Sequence, residues 1–228
     1  DDAGERIEPR AALRLPVGQT IARVAEMFGA TYAVPFSSMQ RYQREDSIWA
    51  NEYMTNLDEY GIGFESKKCE LLPAYIRYDR AKKTVERINP EETSNVAVDP
   101  KRFGDDWSEM LESEEKQDLR NYFQPIEHLG KVIDFINFRV GGEDNVIELR
   151  DSKFKTGLKF EVPRGSLTRA VEHEAFDDLL IGNFMKTTLL GDWPESKLYP
   201  NFTPYVTKYA DNGLAKTPEQ LKRYFAEY

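Results

Sequence analysis

The stretch that most constrains this chain lies near its start, where a helical apolar pattern hands over almost at once to a short β-rich run. Ile21, Val24, Ala25 and Phe28 recur at helical spacing around Arg23 and Glu26, which predicts an amphipathic helix over Gln19–Phe28. Gly29 follows as the residue that leaves the helix. Thr31–Phe36 is β-rich and carries Pro35 near its end, so it reads as a short buried strand. A helix running directly into a strand is half of an α/β unit, and in such units the loop at the strand's carboxyl end is where sites are built.

That loop is Ser37 to Asn51. It crowds hydroxyls, amides, Arg41, Arg44, Asp46, Tyr42 and Trp49 together without a glycine. One reading is a polar turn in which Asp46 or Ser47 caps a helical segment Ile48–Tyr53 and Arg44 pairs with Asp46. The other is a binding loop, with Ser37, Ser38 and Gln40 just past the strand and Tyr42, Arg44, Asp46, Trp49 and Asn51 available to a small substrate. On the second reading the loop lines the principal pocket, and Ser38 and Arg44 face into it.

Further along, Leu71–Ile88 predicts two strands facing each other across Asp79–Lys83. Lys67–Arg87 holds seven basic and three acidic residues, a local net of +4, whereas Glu91–Asp118 holds ten acidic and three basic, a local net of −7. The turn-forming residues up to Gly104 mark a connection, dividing the chain into 1–98 and 99–228. In the second part a helix is expected over Ser113–Phe123 with Ser113 as cap. A second helix starts at Pro125, carries Ile126, Leu129, Ile133 and Ile136 or Phe138, and ends at Gly141-Gly142. Asn145–Arg150 and Thr156–Val162 read as strands, the latter with Leu158, Phe160 and Val162 on one face. Ser166 is expected to cap a helix presenting Leu167, Ala170 and Val171. Thr217-Pro218-Glu219-Gln220 carries the signature of a capping box.

Composition removes several classes of function. The formal net charge of −9 repels phosphate backbones and anionic membranes, which argues against nucleic acid as a partner. A lone cysteine, Cys69, cannot form an internal disulfide, and His128 and His173 alone cannot complete a His-rich zinc site. In Glu172-His173-Glu174 adjacent side chains do not converge on a helix, so both histidines read as structural. No Gly-rich phosphate loop is present, since Gly61-Ile62-Gly63 lacks the third glycine. No apolar run reaches the ~20 residues that span a bilayer, and a soluble, cytoplasmic protein is expected. A first residue Asp1 rather than methionine suggests a processed product or a piece of a longer chain.

Three runs carry a family resemblance. They are Val34–Arg44 with Asp46–Asn51, Val162–Leu167 with Phe176–Leu189, and Tyr199–Val206 with Lys208–Gly213. Together they resemble the late part of bacterial metallo-β-lactamase-fold hydrolases. The resemblance implies an α/β chain, a partial αββα sandwich over 1–98 followed by a C-terminal α+β region over 99–228. It implies zinc, iron or manganese, whose bound hydroxide attacks the substrate. The family's His-x-His-x-Asp-His motif is not in this sequence, although Asp1 or Asp2 could be the remnant of an acidic ligand loop. The last family histidine falls nearest to Gln40, whose amide is a poor transition-metal ligand. No metal ligand is therefore assigned in this chain.

Two main functions follow. In the first, the chain is part of a metal-dependent hydrolase acting on a small molecule, completed by an N-terminal half supplied as a second chain. In the second, it is a non-catalytic ligand-binding or interaction module. A third reading, an oxygenase related to sialic acid hydroxylases, comes from the resemblance alone. If half a sandwich stands unpaired, the region Gln19–Phe36 should leave an apolar edge uncovered and promote self-association.

Overall fold

The computed structural model describes residues 16–36, 40–91, 95–150, 155–182, 184–191, 193, 202–206 and 217–227. Both helices and strands are present. Two compact units divide the described residues, an N-terminal unit of 16–44 and 48–97 and a C-terminal unit of 45–47 and 98–227. No helix among the described residues is long and apolar enough to cross a membrane.

The N-terminal unit opens with α1 (Val17–Met27), whose buried face is Gly18, Ala22 and Ala25. Small side chains let the helix backbone lie directly on another chain segment. A Cβ at Gly18 would come within 2.4 Å of the Ile62 carbonyl oxygen and 2.7 Å of the Phe64 nitrogen. Gly29 leaves the helix at φ 65°, the left-handed conformation that suits glycine. The strand expected at Thr31–Phe36 shrinks to β1 (Tyr32–Ala33), paired in parallel with β2 (Glu70–Leu71). It is not buried: Tyr32 is 36% exposed and Phe36 89%. The partner strand offers two residues only, and Pro35 has no N–H to extend the ladder. Two 3-10 helices follow β1, Ile48–Tyr53 and Leu57–Gly61. The expected hairpin is β3 (Ile76–Asp79) against β4 (Thr84–Arg87), with Arg77 opposite Glu86 and ion-paired to it at 3.3 Å.

The C-terminal unit begins with a 3-10 turn at Pro100–Phe103, capped by Asp99. Helix α2 spans Ser113–Phe123 as expected, but Glu112 rather than Ser113 is the cap. Glu112 and Glu115 form the capping box. The second expected helix is confined to α3 (Leu129–Val132), because Ile133 turns extended and Phe135–Val140 becomes β5. Residues 126, 129, 133 and 136 mimic helical spacing, yet burial along β5 alternates strictly, and the aromatic and β-branched residues there suit a strand. Gly141 and Gly142, at φ 58° and 83°, do not end a helix; they form the turn into β6 (Glu143–Glu148). Next come β7 (Gly157–Glu161), α4 (Arg164–Glu172), α5 (Phe176–Ile181), β8 (Lys186–Leu190), α6 (Thr203–Val206) and α7 (Pro218–Glu227). Pro163 occupies the cap position of α4, and Ser166 lies inside its first turn. At α7 the capping box forms as the sequence predicts, with Thr217 and Gln220 exchanging backbone-to-side-chain bonds of 3.1 and 3.3 Å.

The four long strands make one sheet in the order β6-β5-β7-β8, with β5 parallel to β7 and the outer pairs antiparallel. One face carries Ile136, Phe138, Val140, Leu158 and Phe160, all fully buried in a cluster with Phe123, Leu167, Phe176 and Phe202 from the helical layer. The Phe138, Phe160 and Phe176 rings meet at centroid distances of 5.4 to 5.8 Å, each such side chain contributing about 1.5–3 kcal/mol by leaving water. The opposite face is mostly polar, with Phe135, Val146 and Leu190 as its apolar members. One cross-strand row on it runs Asp144, Arg139, Glu161 and Lys186, alternating in sign, with ion pairs of 2.9 Å at Arg139–Asp144 and 3.4 Å at Lys186–Glu161. At one end of the sheet the buried Asp134 carboxylate accepts from Arg150 and from the Lys155 and Thr156 amides, which ties the ends of three strands together.

Candidate functional site

The loop picked out by sequence is divided between the two units. Ser37 and Ser38 lie outside the described residues. Gln40 is exposed and Arg44 half-buried in the N-terminal unit. Asn51 clamps Tyr42 from both sides, accepting from its N–H and donating to its carbonyl, each at 2.8 Å. That double bond gives Asn51 a backbone-like structural task. Trp49 is 46% exposed and meets Tyr53 edge-on.

Asp46 belongs to the C-terminal unit, where it accepts the Trp107 indole N–H at 3.0 Å. It lines a cleft of about 410 Å³ with Glu45, Asp99, Lys101, Asp105, Asp106 and Trp107. Four carboxylates of that cleft, those of Asp46, Asp99, Asp105 and Asp106, are engaged by local structure. Asp99 caps the 3-10 turn at the Lys101 amide. Asp106 bonds Ser108 and Lys101, which hold its carboxyl well below the usual carboxylate range. Asp105 is 1% exposed and takes both the amide and the hydroxyl of Ser166 at 2.6 Å, satisfying the first turn of α4 from sixty-one residues away. Gly165 makes this possible, because a Cβ there would sit 2.2 Å from the Gly104 oxygen.

Asp1 and Asp2, the possible remnant of an acidic ligand loop, lie outside the described residues, and the described donors do not fit the metal implied by the resemblance. Among the described residues no three His, Cys, Asp or Glu side chains are grouped as a metal site would require. His128 is buried beside Lys131, whose Nζ lies 3.4 Å from Nδ1. His173 is an exposed residue at the end of α4. Cys69 is buried in the other unit, where burial foremost and then Glu26 push its thiol pKa up.

A second concavity lies between α2 and α4, and the sequence reading passed over it. Its volume is about 350 Å³. Leu111, Leu119, Tyr122, Leu167 and Val171 give it an apolar lining, and Glu115, Asp118, Glu172 and Glu174 give it an acidic one, with no lysine or arginine among the lining residues. The helix N-termini are fastened by Arg164, which bonds Glu115 through Nε and Nη2 at 2.9 Å each and reaches Glu112 at 2.7 Å. These bonds from Arg164 hold the Glu115 carboxyl below its ordinary pKa. The Tyr122 hydroxyl is buried without a hydrogen bond of good geometry. Burial pushes its phenol pKa up, and the neighbouring Phe176 amide offsets that only in part. A signal for this groove does exist in the sequence: Asp118, Leu119 and Tyr122 on one helix and Leu167, Val171 and Glu172 on the other each place acid beside an apolar stripe.

No family model, curated protein or solved structure matches this chain.

Proposed function

We propose that this chain is a non-catalytic ligand-binding module, and that the groove between α2 and α4 takes a small organic cation with an apolar body. The observation that carries this reading is the groove's lining, in which leucine, valine and tyrosine surfaces stand beside Asp118, Glu172 and Glu174, with a fourth carboxylate, Glu115, held by Arg164 at the groove's end. An apolar wall gains by covering hydrocarbon, and carboxylates around a partly desolvated site favour a cation over an anion of the same shape. The hydrolase reading needs a metal-bound hydroxide, and among the described residues no three His, Cys, Asp or Glu side chains are grouped to hold its metal, which favours the binding module. The half-sandwich that the resemblance implies falls on 1–98, where the described strands are only two and four residues long, so that architecture is the less favoured one.

Isothermal titration with octyltrimethylammonium and with octyl sulfate tests the reading. The ammonium is expected to bind at one per chain and to weaken with salt, with little binding of the sulfate. Thr168→Trp should fill the groove and abolish binding, while Asp118→Asn with Glu172→Gln should weaken it about tenfold. Equal binding of both amphiphiles, or full binding by Thr168→Trp, overturns the proposal.

A further inference from the structure

The β3–β4 hairpin is a two-stranded sheet, and every residue of β4 is exposed. The Ile88 N–H donates to the Tyr75 carbonyl at 2.8 Å, so Tyr75 and Ile88 form a bonded pair. Bonded and non-bonded pairs alternate along an antiparallel ladder. Glu86 and Thr84 therefore bond inward to Arg77 and Asp79, and the N–H and C=O of Val85 and Arg87 point away from the hairpin. An extended chain could dock on that edge through main-chain hydrogen bonds.

The side chains around the edge say what such a chain would be. Val85 and Ile88 are 43% and 46% exposed. Arg77 is paired with Glu86 and Lys82 with Asp79. Arg80, Lys83 and Arg87 are exposed and have no carboxylate partner among the described residues. A positive edge on a chain of net charge −9 is a local feature, not a reflection of composition. Basic residues on an edge keep identical copies apart, because β4 laid antiparallel on β4 of a second copy would bring Lys83 and Arg87 towards their counterparts. The same charges attract the opposite sign. We infer that the β4 edge of the hairpin is a docking site for an acidic, extended segment of another polypeptide, which adds as a third strand.

Fluorescence anisotropy with a labelled seven-residue peptide of alternating glutamate and threonine tests this on the full chain. Saturable, salt-sensitive binding is expected. Combining Arg80→Glu, Lys83→Glu and Arg87→Glu should weaken it by at least about tenfold. Val85→Pro should do the same, since it deletes an outward N–H and leaves the hairpin's own bonds in place. The same peptide with alternate amides N-methylated keeps its charge and loses its strand-pairing groups, so it should also bind about tenfold more weakly; this arm holds even if Val85→Pro misfolds. Absence of saturation into the millimolar range overturns the inference. So does equal binding of the N-methylated peptide, which would mean charge attraction without strand addition, or displacement by an oligouridylate that binds more tightly, which would make the surface one for nucleic acid.

Discussion

The two units of this chain spend similar residues in different ways. In the C-terminal unit apolar side chains alternate along strands of five and six residues, so one face of a sheet collects them and the helices close over it. In the N-terminal unit the strands are two and four residues long. Among the described residues there, only Gly18, Ala22, Ala25, Ala50, Tyr60, Cys69 and Leu72 are buried, while Met27, Phe28 and Phe36 are 73%, 77% and 89% exposed. A chain does not lack a core because it lacks apolar residues. It lacks one when no surface is long enough to gather them on a single side.

The sharpest way to break this contrast is to empty one position in each unit. Phe160→Ala should destabilise the C-terminal unit by about 3–5 kcal/mol, because the ring is fully buried among Phe138, Phe176 and Phe202. Phe36→Ala should stay within about 0.5 kcal/mol. Thermal melts of both variants decide, and comparable losses would refute the contrast.

A smaller effect is expected where the N-terminal unit does pack closely. Gly18→Ala forces a methyl against the Ile62 carbonyl and should cost about 1–3 kcal/mol. Hydrogen exchange should show the loss in α1 and the segment 60–64, with amides of β5 and β7 unchanged. Increased exchange throughout β5 and β7 would mean that the two units unfold together.

The smallest effect separates charge from packing inside the C-terminal unit. Glu115→Gln keeps the capping geometry and removes the carboxylate that Arg164 grips, a loss on the order of 1 kcal/mol at neutral pH given its partial exposure. The Glu115 pKa is lowered in the folded chain, so its contribution is complete above the ordinary carboxylate pKa of 4.5 and disappears as pH falls through the lower folded value. The melting difference between wild type and variant should shrink below pH 4.5. A difference independent of pH would show that Glu115 acts through packing alone.

What could be read from sequence was local. The hairpin of β3 and β4, strand β7 and the capping box at Thr217 follow from patterns a few residues long. Strand β5 escaped because Ile126, Leu129, Ile133 and Ile136 fit a helix as well as two successive elements, and the period-2 alternation of Phe135–Val140 competes with that spacing. Asp105 could not be assigned its task, since the amide it satisfies belongs to Ser166 and nothing near either residue encodes the meeting. The groove between α2 and α4 was hidden for the same reason. Each helix displays its half of the lining, and only the packing angle brings the halves together.

The charged row across the sheet also bears on how the strands find one another. Alternating burial forbids a slip of one residue, since that would turn every core side chain to water. It is blind to a slip of two, which keeps the same faces. The row distinguishes the two registers. Sliding β8 by two residues in one direction along β7 sets Lys186 opposite Lys159, and sliding β7 likewise along β5 sets Lys159 beside Arg139. Like charges directly opposite are unfavourable, while the native register places each charge beside its opposite. The hydrophobic face tells the strands which side is up, and the ionic face tells them where to stop.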